Sequence, residues 1–207
     1  MRILAPVTFA QVRLAYLQDH PAQRAHRGNT NPEGEENLRR ADRLLGRWQA
    51  VLLSRADVLG VVLPWHTGEG GGYELVPPTG LTVGQTAARL RARPAAVYGA
   101  NPVCAAKLSF LARSPLTPVY LSTRPVPHSD YAAVRACGAL VHVDGLHRML
   151  AWELAGCLPR EEALVAFLAG DPGALPAPSG AARPSGRRTP AAASAERLAE
   201  PSPVTSG

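Results

Sequence analysis

Residues 140–156 read LVHVDGLHRMLAWELAG, and this stretch constrains the chain more than any other. Leu140, Val141 and Val143 suit a strand, Asp144-Gly145 interrupts it, and Met149, Leu150, Trp152 and Leu154 then follow helical spacing. A strand that feeds a helix through a glycine turn builds an anion site, because the first helical N–H groups have no intrahelical partner. Asp144 is expected at the N-cap, accepting from first-turn N–H groups. Gly145 lets a ligand approach the backbone without a Cβ in the way. His147 and Arg148 fall in the first turn, beside the positive end of the helix dipole. Arg148 is expected to face solvent until an anion arrives. Donors, dipole, imidazole and guanidinium then converge on one spot, which suits a phosphate or a carboxylate.

The rest of the chain supplies the frame. Thr8 with Gln11, and Thr82 with Gln85, are capping-box pairs that predict helices after them, the second ended by Pro94. Asn31-Pro32 followed by Glu33, Glu35 and Glu36 predicts a helix start. Leu38, Ala41, Leu45, Trp48 and Leu52 extend that helix as one apolar stripe. The run VLGVVLPW (58–65), the loop HTGEGGG and the return YELV (73–76) read as a hairpin. A helix over about 102–113 starts at Pro102, strands follow at 117–126 and 138–143, and a short helix is expected in REEALVAFLAG. The order predicts an α+β fold with a small mixed sheet and packed helices, one domain over 1–170. From Asp171 onward the chain is rich in Pro, Gly, Ala and Ser, and residues 171–207 are expected to be disordered.

Composition narrows the function classes. Hydrophobic residues make up 46% and charged residues 18%, which suits a globular core. No apolar run is long enough to cross a bilayer. The N-terminal apolar stretch is broken by Pro6, Gln11 and Arg13, so it is read as mature structure and the protein as cytoplasmic. The formal charge is +6, yet of the 22 basic residues only Lys107 is lysine. That bias fits a GC-rich genome better than a nucleic-acid footprint, which needs basic residues clustered on one face. Cys104, Cys137 and Cys157 show no ligand spacing, so small buried thiols are expected and no structural metal. His142 and His147 point in different directions across the turn and make no metal pair. His66 and Glu69, in the loop WHTGEGGG, and Asp130 are the candidates for a general base. GEGGG lacks the Gly-Lys-Ser/Thr of a phosphate-binding loop.

The segment VDGLHRMLAWEL resembles the signature of the ParB/sulfiredoxin superfamily, a D-G-x-H-R turn followed by an apolar helix. The preceding layout is similar too: a helix with a lysine in AAKLSFLARS, then a strand in TPVYLSTRP. The similarity covers about residues 98–160, so 1–97 would be a helical and hairpin region before a 98–170 core. The resemblance implies nucleotide phosphates at the turn, held by Asp144, Gly145, His147 and Arg148, with Lys107 as a further contact. Sulfiredoxins carry their reactive Cys where this chain has Leu146, so their repair chemistry has no nucleophile here. Partitioning ParB proteins carry a G-E-R-R turn and a helix-turn-helix domain after it, which this chain lacks. The D-G-H-H-R turn of ParB-like kinases acting on free serine is nearest. The expectation is therefore a protein that binds ATP or ADP with Mg²⁺ and transfers phosphate to a small hydroxyl substrate. The alternative is a regulatory or partner-binding protein that keeps the nucleotide scaffold.

Overall fold

Residues i and i+2 of a strand share a face, and this rule sorts the chain's apolar side chains into two cores. The computed structural model describes residues 1–20, 31–68, 72–136 and 138–175. In chain order its elements are β1 (Arg2–Val7), α1 (Phe9–Asp19), α2 (Asn31–Leu45), β2 (Trp48–Leu53), α3 (Arg55–Leu59), β3 (Val62–Leu63), β4 (His66–Thr67), β5 (Glu74–Val76) and β6 (Leu81–Thr82). There follow α4 (Val83–Ala92), α5 (Pro94–Ala100), α6 (Pro102–Leu111), β7 (Val119–Ser122), β8 (Val141–Asp144), α7 (Leu146–Ala155) and β9 (Leu164–Ala169). Seven strands form one sheet in the order β1-β2-β9-β7-β8-β3-β6, and β4 pairs with β5 in a separate ribbon. The sheet is mixed: β7 runs parallel to β9 and antiparallel to β8, while β8 is parallel to β3.

Val119 and Leu121 of β7, with Leu164, Ala166 and Leu168 of β9, join a core with Val83, Ala87 and Leu90 of α4, Leu108 of α6 and Met149, Leu150 and Trp152 of α7. Tyr120, between those two β7 residues, joins Val141 and Val143 of β8 in a second core with Val12 and Tyr16 of α1 and Leu38 and Ala41 of α2. The sheet therefore lies between two helical layers, as expected of an α+β chain. The candidate turn sits at the end of β8, where α7 leaves toward α4 and α6 while α2 packs on β8.

Several expectations hold. Both capping boxes form, with Gln11 N donating to Thr8 Oγ1 at 3.3 Å and Gln85 N donating to Thr82 Oγ1 at 3.1 Å. The helix from Asn31 forms, and α6 starts at Pro102. Four need correction. The stripe Leu38–Leu52 is not one helix: Gly46 takes φ +61°, its N–H donates to Asp42 O at 2.7 Å, and Trp48–Leu53 is a strand. REEALVAFLAG holds no helix; Leu164, Ala166 and Leu168 are buried while Val165 is 37% exposed, the two-residue period of β9 between β2 and β7. The run 58–65 is not one strand, because a third capping box, Ser54 with Asp57, starts α3. The hairpin partner of β5 is instead β4, inside the expected loop. Residues 171–175, expected in the disordered tail, are structured: Asp171 caps a 3-10 turn over Pro172–Ala174, and Leu175 packs against the first core. The remainder of that tail lies outside the described residues, as does Cys137.

Candidate functional site

Two of the turn's residues serve the scaffold. Asp144 is the last residue of β8, and the N-cap of α7 is Gly145, at φ +109° and with no side-chain cap bond. The expected Asp144 cap is absent because the chain turns one residue later than the sequence suggests. A Cβ on Gly145 would stand 3.0 Å from Val119 Cγ1 and 3.3 Å from an Arg148 nitrogen, so glycine is required for space as well as for conformation. Arg148 does not face solvent. It is 6% exposed; its NH1 donates to Thr117 Oγ1 at 2.7 Å and to Pro118 O at 2.6 Å, and its NH2 donates to Asp144 Oδ2 at 2.6 Å. The guanidinium thus ties α7 to β8 and to the approach to β7. His20 Nε2 lies 3.1 Å from the same Asp144 oxygen. Burial would raise the Asp144 carboxyl, but the His20 hydrogen bond and the Arg148 charge hold it well below the usual carboxylate range.

Around this tie lies a cavity of about 140 Å³. Asp144, Gly145, His147, Arg148 and Lys107 all border it, and so do His66 and Asp130. Glu69 lies outside the described residues. The sequence therefore named seven residues of the wall, while His20, Glu33, Asn37 and Tyr131 were missed as site residues. Their only signal is the helical and loop context of distant segments, which no local pattern links to the turn.

The polar groups divide by whether they already have partners. Lys107 is 7% exposed, borders the cavity, and makes no hydrogen bond or ion pair among the described residues. His142 faces the Tyr131 hydroxyl, with Nδ1 at 3.1 Å, and burial pushes its pKa down to about 4. Burial, followed by the nearby charges of His66 and Lys107, holds His147 well below the ordinary imidazole value. His66, expected on a flexible loop, is on β4, with Nε2 3.5 Å from Cys104 Sγ. His147 Nε2 lies 3.4 Å from the same sulfur. Cys104 is buried, as expected of the cysteines, whereas Cys157 is exposed. Trp65 also borders the cavity and is 38% exposed, with Nε1 donating to Glu74 Oε1 at 3.2 Å.

Compared with known proteins, the chain matches over residues 1–189 a family model described as a family of unknown function (DUF6309). No curated protein and no solved structure matches it. Among the described residues, no helix is long and apolar enough to cross a membrane.

Proposed function

The chain belongs to the DUF6309 family, a family of unknown function, and from its cavity we propose that it binds the phosphate of a small metabolite. The observation that carries this reading is Lys107, a nearly buried ammonium with no protein acceptor among the described residues, bordering the cavity beside the α7 N-terminus. A buried cation without a counter-charge is costly, and a ligand anion relieves that cost. The α7 dipole adds to the attraction. Arg148, already engaged by Asp144, supports the turn and does not contact the ligand. The nucleotide class comes from the resemblance to the ParB/sulfiredoxin superfamily, with ATP or ADP and Mg²⁺ as the ligand. A cavity of about 140 Å³ seats a phosphate and its neighbouring atoms, so ribose and base extend across the mouth past Trp65. Glu33 and Asp130, with His128, bring donor atoms within 4.8 Å of one another, and their carboxylates suit the oxygen-seeking Mg²⁺ of a nucleotide. Transfer to a small hydroxyl compound needs a proton acceptor, for which Asp130 borders the cavity, as does His66 when no metal holds its ring.

Calorimetric titration of the full chain with ATP, ADP, adenosine and inorganic phosphate, with and without Mg²⁺, tests the reading. The phosphate-bearing ligands bind and adenosine does not. Lys107→Met, which keeps most of the side chain's length and removes its charge, weakens binding by about ten- to a hundredfold without lowering the melting temperature. Absence of binding to the wild-type chain, or equal binding by Lys107→Met, overturns it.

A further inference from the structure

We propose that His66, Cys104 and His147 form a Zn²⁺ site whose fourth coordination position opens into the cavity. The three residues come from β4, α6 and α7, and their donor atoms all lie within 4.8 Å of one another. The two sulfur–nitrogen separations are 3.5 and 3.4 Å. A tetrahedral zinc with Zn–S of about 2.3 Å and Zn–N of about 2.05 Å sets those separations at about 3.6 Å. The two imidazole rings stand nearly perpendicular, at 82°, with centroids 4.9 Å apart. Thiolate plus two imidazoles is a donor set for a borderline-soft cation and not for Mg²⁺ or Ca²⁺.

The surroundings are built for the sulfur. Cys104 is in the first turn of α6, where the helix dipole favours the thiolate. The chain leaving β4 passes it closely: a Cβ on Gly68 would stand 2.9 Å from both Cys104 Sγ and Asn101 Oδ1. Asn101 is fully buried; its Nδ2 donates to Tyr73 O at 2.8 Å, while Oδ1 has no donor among the described residues.

His66 and His147 border the cavity and Cys104 does not, so the open position faces the ligand space. Binding releases one proton, from the Cys104 thiol to solvent, and leaves Zn²⁺–thiolate with a net charge of +1. Lys107, which borders the same cavity, adds a second positive charge, so the fourth ligand is an anion or a water that ionises readily. The site stands independently of the phosphate reading. If both hold, zinc and Lys107 face the same anion.

The full chain, produced with zinc and purified without chelators, is assayed by elemental analysis and by cobalt substitution. We expect one zinc per chain. Cobalt should give the visible bands of a tetrahedral ion and a thiolate charge-transfer band. Cys104→Ser removes the charge-transfer band and weakens zinc by at least about a hundredfold, the upper end for losing even an outer-shell partner. His66→Ala, on the short peripheral ribbon, tests the same site should Cys104→Ser fail to fold. Cys157→Ser keeps its metal, and bound zinc in a chain that binds no phosphate ligand separates this result from failure of the phosphate reading. Absence of bound metal, or zinc retained unchanged in Cys104→Ser and His66→Ala, overturns the proposal. Preferential uptake of copper, with an intense visible thiolate–copper band, also overturns the assignment to zinc.

Discussion

At the scale of single residues, Asp144 and Arg148 show how a motif can hold a pocket without touching its ligand. Arg148 satisfies Thr117, the Pro118 carbonyl and Asp144 at once, and Asp144 is charged because Arg148 and His20 face it. Removing the guanidinium leaves a mostly buried carboxylate with its main counter-charge gone. Arg148→Ala therefore costs about 3 kcal/mol of stability, read from denaturant unfolding. The pair also makes stability depend on pH. The Asp144 carboxyl titrates below its ordinary value of 3.8 in the folded state, so the unfolded chain takes up the proton first as pH falls. Its contribution is complete well above pH 3.8 and is lost as pH falls through that value toward the depressed folded one. Unfolding curves at a series of acidic pH values should show this loss in the wild type and a shallower one in Asp144→Asn. An equal acid slope in both would mean that the pair does not set the acid sensitivity.

At the scale of elements, a helix ends where the residues beyond it demand, as much as where its own apolar face runs out. Leu38, Ala41, Leu45, Trp48 and Leu52 fit one helical stripe, yet Gly46 turns left-handed and the rest becomes β2. Trp48 still serves α2, its Nε1 donating to Asp42 Oδ1 at 3.0 Å across the turn. A Cβ at Gly46 meets only Asp42 O, at 3.9 Å, so the space is open and only the backbone conformation resists a side chain. Gly46→Ala should therefore cost about 1 kcal/mol, the left-handed penalty for an L residue. A thermal melt with no loss would show that the turn can relax.

At the scale of the whole molecule, Met1–Pro176 is one compact unit that carries both cores and every described residue of the pocket. Truncation after Pro176 should leave the melting temperature within about 2 °C, since every described core side chain is kept. Truncation after Gly170 removes Leu175 from the first core, a loss of about 1 kcal/mol for a half-buried leucine and so of about 3 °C. Equal melting temperatures for the two truncations would show that Leu175 contributes nothing.

Local chemistry was readable from the sequence wherever partners lie within one turn of each other. The capping boxes at Thr8 and Thr82, the Pro102 helix start and the strand–Gly145–helix turn each depend on neighbours three or four residues away. The α+β class came from their order. β9 was not readable, because LVAFLA suits a buried helix as well as a strand until β2 and β7 supply hydrogen bonds on both sides. Nor was the role of Arg148, whose acceptors at 117 and 118 precede it by about thirty residues and meet it only through the β7–β8 pairing. Cys104 is the extreme case: His66 and His147 are far from it on either side in the chain, so no spacing rule reaches them. Tertiary structure alone brings that thiol between two imidazoles, because burying both faces of one sheet fixes where β4, α6 and α7 meet.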